Sequence, residues 1–74
     1  LEELQGTVAT VTKAIVPGVP GEIVYDFRGE RLVVAAREIG ETGETVGVGT
    51  EVVIEKIEGG VADVELWSVV EQRL

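Results

Sequence analysis

Apolar residues in this chain alternate with polar ones over short runs, and no stretch keeps them on one face of a helix. Val, Ile, Thr and the aromatics form these runs, which ten Gly and two Pro interrupt. Alternation with a period of two, bounded by turn residues, is typical of strands in a small all-β domain. Gly6 lacks a Cβ and is where we expect the long first strand to bend or bulge. The pattern predicts five strands, at residues 4–14, 22–27, 31–37, 51–58 and 61–67.

The register of the second and third strands can be tested against a turn between them. A two-residue turn at residues 28–29 places Tyr25 opposite Leu32 on one face and Asp26 opposite Arg31 on the other. Apolar residues then meet apolar ones and an opposite-charge pair forms, as cross-strand pairing favours. The competing arrangement is a type I turn over "DFRG" followed by a bulge, and both arrangements need the Gly at positive φ. We favour the two-residue turn.

The remaining segments are a second predicted hairpin, a predicted loop and the C-terminal tail. The "EGG" before the fifth strand predicts a second tight hairpin. Residues 38–49 hold four Gly and no helical period, which predicts an irregular loop with Ile39, Val46 and Val48 as candidate anchors. The tail at residues 68–74 fits a strand extension or one helical turn equally well.

Together these elements predict one domain over residues 1–74, a small closed barrel of five antiparallel strands. Closure removes the exposed edges that an open sheet would carry. The oligonucleotide/oligosaccharide-binding (OB) fold, a Greek-key barrel, is the commonest five-stranded solution. Its usual helix between the third and fourth strands would be replaced here by the loop at 38–49. The abrupt start without Met predicts an excised piece of a longer chain.

Charge narrows the range of partners. The net charge is −8, and residues 38–74 carry nine acids against Lys56 and Arg73. This balance suits either a solvated surface that keeps the domain soluble or an acidic face that meets a basic partner. Nucleic-acid backbone binding needs a basic stripe, so neither duplex nor single-stranded nucleic acid is expected as a partner. No apolar run reaches the roughly 20 residues that span a bilayer.

Few side chains in this sequence are suited to catalysis or to metal binding. The chain has no Cys and no His, and Ser68 is its only Ser, so a nucleophile with a base and the commonest metal ligands are both missing. Glu38, Glu41 and Glu44 recur every third residue, but a calcium loop normally adds Asp and Asn, and the chain has no Asn. We therefore predict no enzyme activity, no cofactor and no metal site.

The stretch "VPGVPG" between the first two strands has a structural and a functional interpretation. Pro fixes φ near −65° and Gly accepts positive φ, so each Pro-Gly step can form a type II turn, and the whole would be a rigid connection. In OB folds this loop borders the binding face. The functional interpretation is a contact surface of Pro17, Val19 and Pro20, joined by the turn at Gly59 and Gly60.

Several motifs together resemble the C-terminal soluble domain of the NfeD-like membrane proteins. They are "GTVATV" near the start, "PGVPGEI" between the first two strands, "GER" in the next hairpin and "VGVGTEVVIEKIEGG" up to the last one. The resemblance covers about residues 5–66. It implies a five-stranded OB-type barrel that follows transmembrane helices in a membrane-anchored parent.

The same resemblance implies a role. It points to association with stomatin- or flotillin-like membrane proteins and to membrane protein quality control, with no catalytic residue in this domain. We therefore predict a non-catalytic interaction and assembly module, membrane-associated through helices outside this stretch, with homo-oligomerisation left open. A nucleic-acid- or oligosaccharide-binding OB domain is the alternative, which the net charge of −8 disfavours.

Overall fold

The computed structural model of the chain describes residues 6–40 and 43–72. These residues form five strands and one short helix. The elements are β1 Val8–Lys13, β2 Gly21–Phe27, β3 Glu30–Glu38, β4 Glu51–Glu58, β5 Val61–Leu66 and α1 Trp67–Glu71. All five predicted strands are present, and the tail continues as a helical turn rather than as a strand.

The first strand differs from its expected form. Residues 4 and 5, where it was predicted to begin, lie outside the described residues. Gly6 has a φ of +86° and lies just before β1. Its N–H donates to the Ile54 carbonyl oxygen and the Ile54 N–H donates to the Thr7 carbonyl oxygen, both at 2.8 Å, so two residues oppose one, which is a bulge with Gly at positive φ. The predicted bulge at Gly6 is therefore confirmed. A second irregularity lies between Val11 and Lys13, where the register against β2 shifts by one residue.

The strands close into a barrel in the order β1-β2-β3-β5-β4, and β4 pairs back onto β1. The all-β, five-stranded closed barrel is confirmed. Four pairings are antiparallel, whereas β3 and β5 are parallel, so the expectation of antiparallel pairing throughout is wrong at this point. The reason is topological. An odd number of strands cannot alternate in direction all the way round a closed ring, so one pair must run parallel.

Both predicted hairpins are present. Arg28 and Gly29 have φ of +52° and +81°, and the register sets Tyr25 opposite Leu32, so the turn has two residues and contains no bulge. Positive φ at both central positions is the type I′ geometry that matches the twist of the flanking strands. The two Gly of "EGG" likewise have φ of +62° and +80°.

The barrel interior is filled by aliphatic side chains and one Tyr. The buried cluster comprises Ala9, Val11, Ile15, Ile23, Tyr25, Ala36, Val46, Val52, Ile54, Ala62 and Val64. In β4 the alternation changes phase, because a bulge between Ile54 and Lys56 lets Ile57 also pack against the core. Val53 points to the opposite side from Val52 and is still buried, and α1 packs against β4 and β5.

The connection from β3 to β4 carries one anchor where three candidates were expected. Val46 is buried and exchanges two backbone hydrogen bonds with Ile15, of 2.8 and 2.9 Å. Ile39 and Val48 leave 42% and 69% of their surface exposed, so the expectation that they anchor the loop is wrong. The described residues of this connection contain no helix. The Val46 bridge therefore lays the loop along the end of β1, beside the stretch that leads into β2.

Candidate functional site

The first Pro-Gly step of "VPGVPG" forms a tight turn, as predicted. Val16 and Val19 exchange backbone hydrogen bonds of 2.8 and 3.2 Å across it. Pro17 and Gly18 occupy the two central positions, and Gly18 has a φ of +80°. Pro followed by Gly at positive φ is the type II pattern. The turn is consequently held by both its ends and by the fixed φ of Pro17.

The second Pro-Gly step forms no turn, contrary to the expectation that both would. Gly21 is buried at the start of β2. A Cβ at Gly21 would lie 2.2 Å from the carbonyl oxygen of Lys13 and 2.5 Å from that of Ala14. Gly is needed at this position because two stretches of backbone cross in close contact. The loop is therefore pinned to the barrel directly after its exposed tip.

An open cleft of about 570 Å³ lies between this turn, the end of β3 and the loop that follows. Its walls are Ile15, Val16, Pro17, Gly18, Val19, Pro20, Arg37, Glu38, Gly43 and Glu44. Val16 and Val19, which line it, leave 42% and 58% of their surface exposed to solvent. The Glu38 carboxylate accepts a hydrogen bond from the backbone N–H of Gly40. The cleft thus has one apolar wall, built by a rigid turn, and a charged wall opposite.

The structure brings three of the five predicted contact residues into this cleft. Pro17, Val19 and Pro20 line it, whereas Gly59 and Gly60 do not. The two Gly form the β4–β5 turn, directly before Val61, which pairs with Ala35 in β3. They therefore mark a separate surface, beside the middle of β3.

The charged wall is fixed by a buried carboxylate that sequence reasoning missed. Asp63 in β5 is only 4% exposed and accepts a hydrogen bond from Arg37 Nε in β3, with an N–O separation of 2.5 Å. Lys56 Nζ in β4 lies 3.9 Å from the other carboxylate oxygen. The hydrogen bond to Asp63, together with its charge, raises the pKa of Arg37 above its ordinary value. Arg37 and Lys56 therefore share the one buried carboxylate of Asp63.

The sequence carried only a weak signal for this group. Alternation places Asp63 between Ala62 and Val64, on the outer side of β5, where a solvated side chain is the ordinary outcome. Its burial follows from the strands on both sides. Arg37 and Lys56 are its direct neighbours in the β3–β5 and β4–β5 registers, and they flank it.

Within residues 6–40 and 43–72, no group of three or more His, Cys, Asp or Glu side chains converges in a way that could hold a metal ion. No helix among the same residues has the length and apolarity needed to cross a membrane.

Comparison with solved structures places this geometry among known domains. The soluble domain of the NfeD protein YuaF from Bacillus subtilis superposes with a TM-score of 0.72 at 25% identity, over 88% of this chain and 75% of that one. The C-terminal domain of a stomatin operon partner protein from Pyrococcus horikoshii gives 0.68 at 26% identity, over 88% and 89% of the two chains.

A third solved domain is similar to the same extent. It is the soluble domain of a membrane protein implicated in regulation of membrane protease activity, from Corynebacterium glutamicum, with a TM-score of 0.67 at 27% identity over 85% of this chain and 90% of that one. No protein-family model and no curated protein sequence matches the chain. The three structures confirm the resemblance to the soluble domains of NfeD-like proteins that the motifs indicated.

Proposed function

We propose that this domain, an NfeD-like soluble barrel, is a non-catalytic module that binds a protein partner at a membrane. Helices outside this stretch would anchor its parent chain. The cleft beside the Val16–Val19 turn is the primary contact surface, with Pro17, Val19 and Pro20 as its contact residues. The Gly59–Gly60 turn is a second, separate contact.

One observation carries the proposal, namely that the apolar wall of the cleft is both exposed and rigid. Val19 leaves 58% of its surface exposed on a turn closed by two backbone hydrogen bonds. Binding by an ordered loop avoids much of the entropy cost of fixing side chains and backbone. An exposed apolar surface with a polar rim is also what protein-contact sites commonly present.

The names of the similar structures suggest the class of partner. One is described as a stomatin operon partner and another as a membrane protein implicated in regulation of membrane protease activity. We extend this to the present chain and propose a stomatin- or flotillin-like partner in membrane protein quality control. Glu38 and Glu44 border the cleft. A partner segment with an apolar side chain next to a basic one would complement both walls.

The test is co-purification of the full-length protein with a stomatin-like partner from the same membrane, comparing Val19→Asp with wild type. A charge buried against the partner should reduce recovery about fivefold or more, the loss that corresponds to roughly 1 kcal/mol at a hot spot. Val48→Asp is the matched control, because Val48 is 69% exposed and lies outside the cleft lining.

The result is decisive only if both variants stay folded, which circular dichroism and a urea midpoint close to that of wild type will establish. Equal recovery of the two variants would show that the cleft does not contact the partner. Loss with both variants would point to a general effect of added negative charge rather than to this surface.

A further inference from the structure

The third strand is longer than the pairing that covers one of its sides. β3 runs over Glu30–Glu38 and pairs with β2 without interruption from residue 30 to residue 36. Its pairing with β5 begins only at Ala35, opposite Val61. Within the described residues no strand or bridge lies against residues 30–34 on the β5 side. Among residues 6–40 and 43–72, the five residues 30–34 of β3 therefore have no partner strand on that side, and we call them the β3 edge.

The backbone groups at this edge can be assigned from the hairpin. A two-residue turn makes its flanking residues, Phe27 and Glu30, a hydrogen-bonded pair, and such pairs recur at every second position. Leu32 thus bonds toward β2. The N–H and C=O groups of Arg31 and Val33 point the other way. The backbone N–H of Ile39 donates to the carbonyl oxygen of Val64 in β5 at 2.9 Å. Ile39 is also an odd-numbered residue, so this bond agrees with Arg31 and Val33 pointing to the β5 side.

The edge carries few of the features that usually protect one. It contains no Pro and no bulge, and Val33 leaves 61% of its surface exposed. Arg31 supplies the only cationic side chain in the segment, and it forms an ion pair with Asp26. Leu32 and Val34 are half-buried on the core side and pack against the core. An added strand could therefore form backbone hydrogen bonds with Arg31 and Val33 and would lie beside an apolar strip of side chains.

We propose that this β3 edge, residues 30–34, receives an extended segment of a partner protein by strand addition, the segment having alternating apolar and basic side chains. Unpaired backbone groups in an extended strand specify an extended occupant, since only such a chain matches their spacing. Exposed Glu30 on the edge, together with a net charge of −8, favours Lys or Arg in that segment.

A second copy of this chain is the weaker occupant for the same electrostatic reason. Two domains of net charge −8 repel each other on approach. The surface is also distinct from the Val16–Pro20 cleft, because none of residues 30–34 lines it. Val19→Asp leaves the edge intact, so each proposal can fail without the other.

The experiment is an NMR titration of the ¹⁵N-labelled 74-residue domain with a blocked heptapeptide of alternating Lys and Val. The expected result is a shift of the Arg31 and Val33 amide resonances, with slowed hydrogen exchange at both. The same peptide N-methylated at every second residue keeps its charge but cannot complete the ladder, and it should bind at least about tenfold more weakly. A Glu-Val heptapeptide should not bind.

A protein variant tests the same hydrogen bonds from the other side. Val33→Pro removes the edge-facing N–H without touching a bond to β2, so peptide affinity should fall about tenfold. Val33→Thr keeps the N–H and should stay within about twofold. Should the Pro variant unfold, the N-methylated peptide still decides the matter. Equal binding of both peptides, shifts centred on Val16 and Val19, or a dimer that protects the Val33 amide without peptide would each overturn the proposal.

Discussion

At the scale of single residues, the backbone of Lys13 and Ala14 leaves no space for a side chain at Gly21. Gly21→Ala should destabilise the fold by about 2–3 kcal/mol, because the new Cβ must displace backbone rather than a flexible side chain. Its distance of 2.2 Å from the Lys13 carbonyl oxygen leaves no room for it. Urea unfolding followed by circular dichroism measures the change. Gly47→Ala is the control, since nothing lies within 4 Å of a Cβ there, and it should stay within about 0.5 kcal/mol. Equal midpoints for the two variants would contradict the close crossing.

Asp63 gives a second prediction at the same scale. Asp63→Asn should lower the urea midpoint, because a buried neutral amide cannot balance the charges of Arg37 and Lys56 beside it. Asp26→Asn is the control, since Asp26 pairs with Arg31 at 3.3 Å with both side chains at least 70% exposed. Exposed pairs of this kind contribute about 0–1 kcal/mol. A loss at Asp63 no larger than that at Asp26 would mean that burial adds nothing to the pair.

At the scale of elements, the β2–β3 hairpin depends on its turn. Gly29→Val should cost about 1 kcal/mol or more, because a β-branched residue resists the φ of +81° found there. Thermal or urea unfolding checks the loss. Gly29→Asn should lose less than half as much, since Asn tolerates the left-handed region. An unchanged midpoint for the Val variant would contradict the type I′ assignment.

The β2–β3 hairpin also shows which structural features the local alternation of apolar and polar residues can predict. The register that sets Tyr25 against Leu32, and the ion pair of Asp26 with Arg31, were both predicted from alternation and confirmed. β4 was less predictable, because its bulge between Ile54 and Lys56 changes the phase of alternation midway. Bulges depend on the partner strand, and a single strand's sequence carries little sign of them.

At the scale of the whole molecule, the net charge predicts that the domain does not bind nucleic acid, a common partner of OB barrels. With a net charge of −8, labelled DNA or RNA oligonucleotides should give a flat fluorescence anisotropy titration at physiological salt. Single-strand binders combine several aromatic and basic side chains along one surface. Here Tyr25 is buried in the core, and the Arg28 guanidinium lies over the partly buried Phe27 ring, 5.0 Å from its centroid, in a domain whose net charge is −8. Micromolar binding that weakens with added salt would show that a cationic surface had been overlooked.

The apolar wall of the candidate site was predictable from the sequence, whereas its charged wall was not. A Pro-Gly step predicts an exposed turn, which is why the sequence pointed to Pro17, Val19 and Pro20. The charged wall could not be predicted, since Arg37 comes to the cleft only when β3 ends beside that turn. Gly59 and Gly60 were correctly predicted as a turn, but the cleft does not include them.

The sequence by itself determined what depends on neighbours along the chain. The alternation of apolar residues set the strands, and residues able to adopt positive φ at positions 28–29 and 59–60 set the hairpins. The tertiary structure decided what depends on closing the ring. Closure with five strands requires at least one parallel pair, which is β3–β5 here. The registers of β5 against β3 and β4 bury Asp63, and within the described residues no strand pairs with residues 30–34 of β3 on the β5 side. Such features follow from which distant strands meet and at what offset. That offset comes from packing the whole barrel, because no short stretch contains both partners.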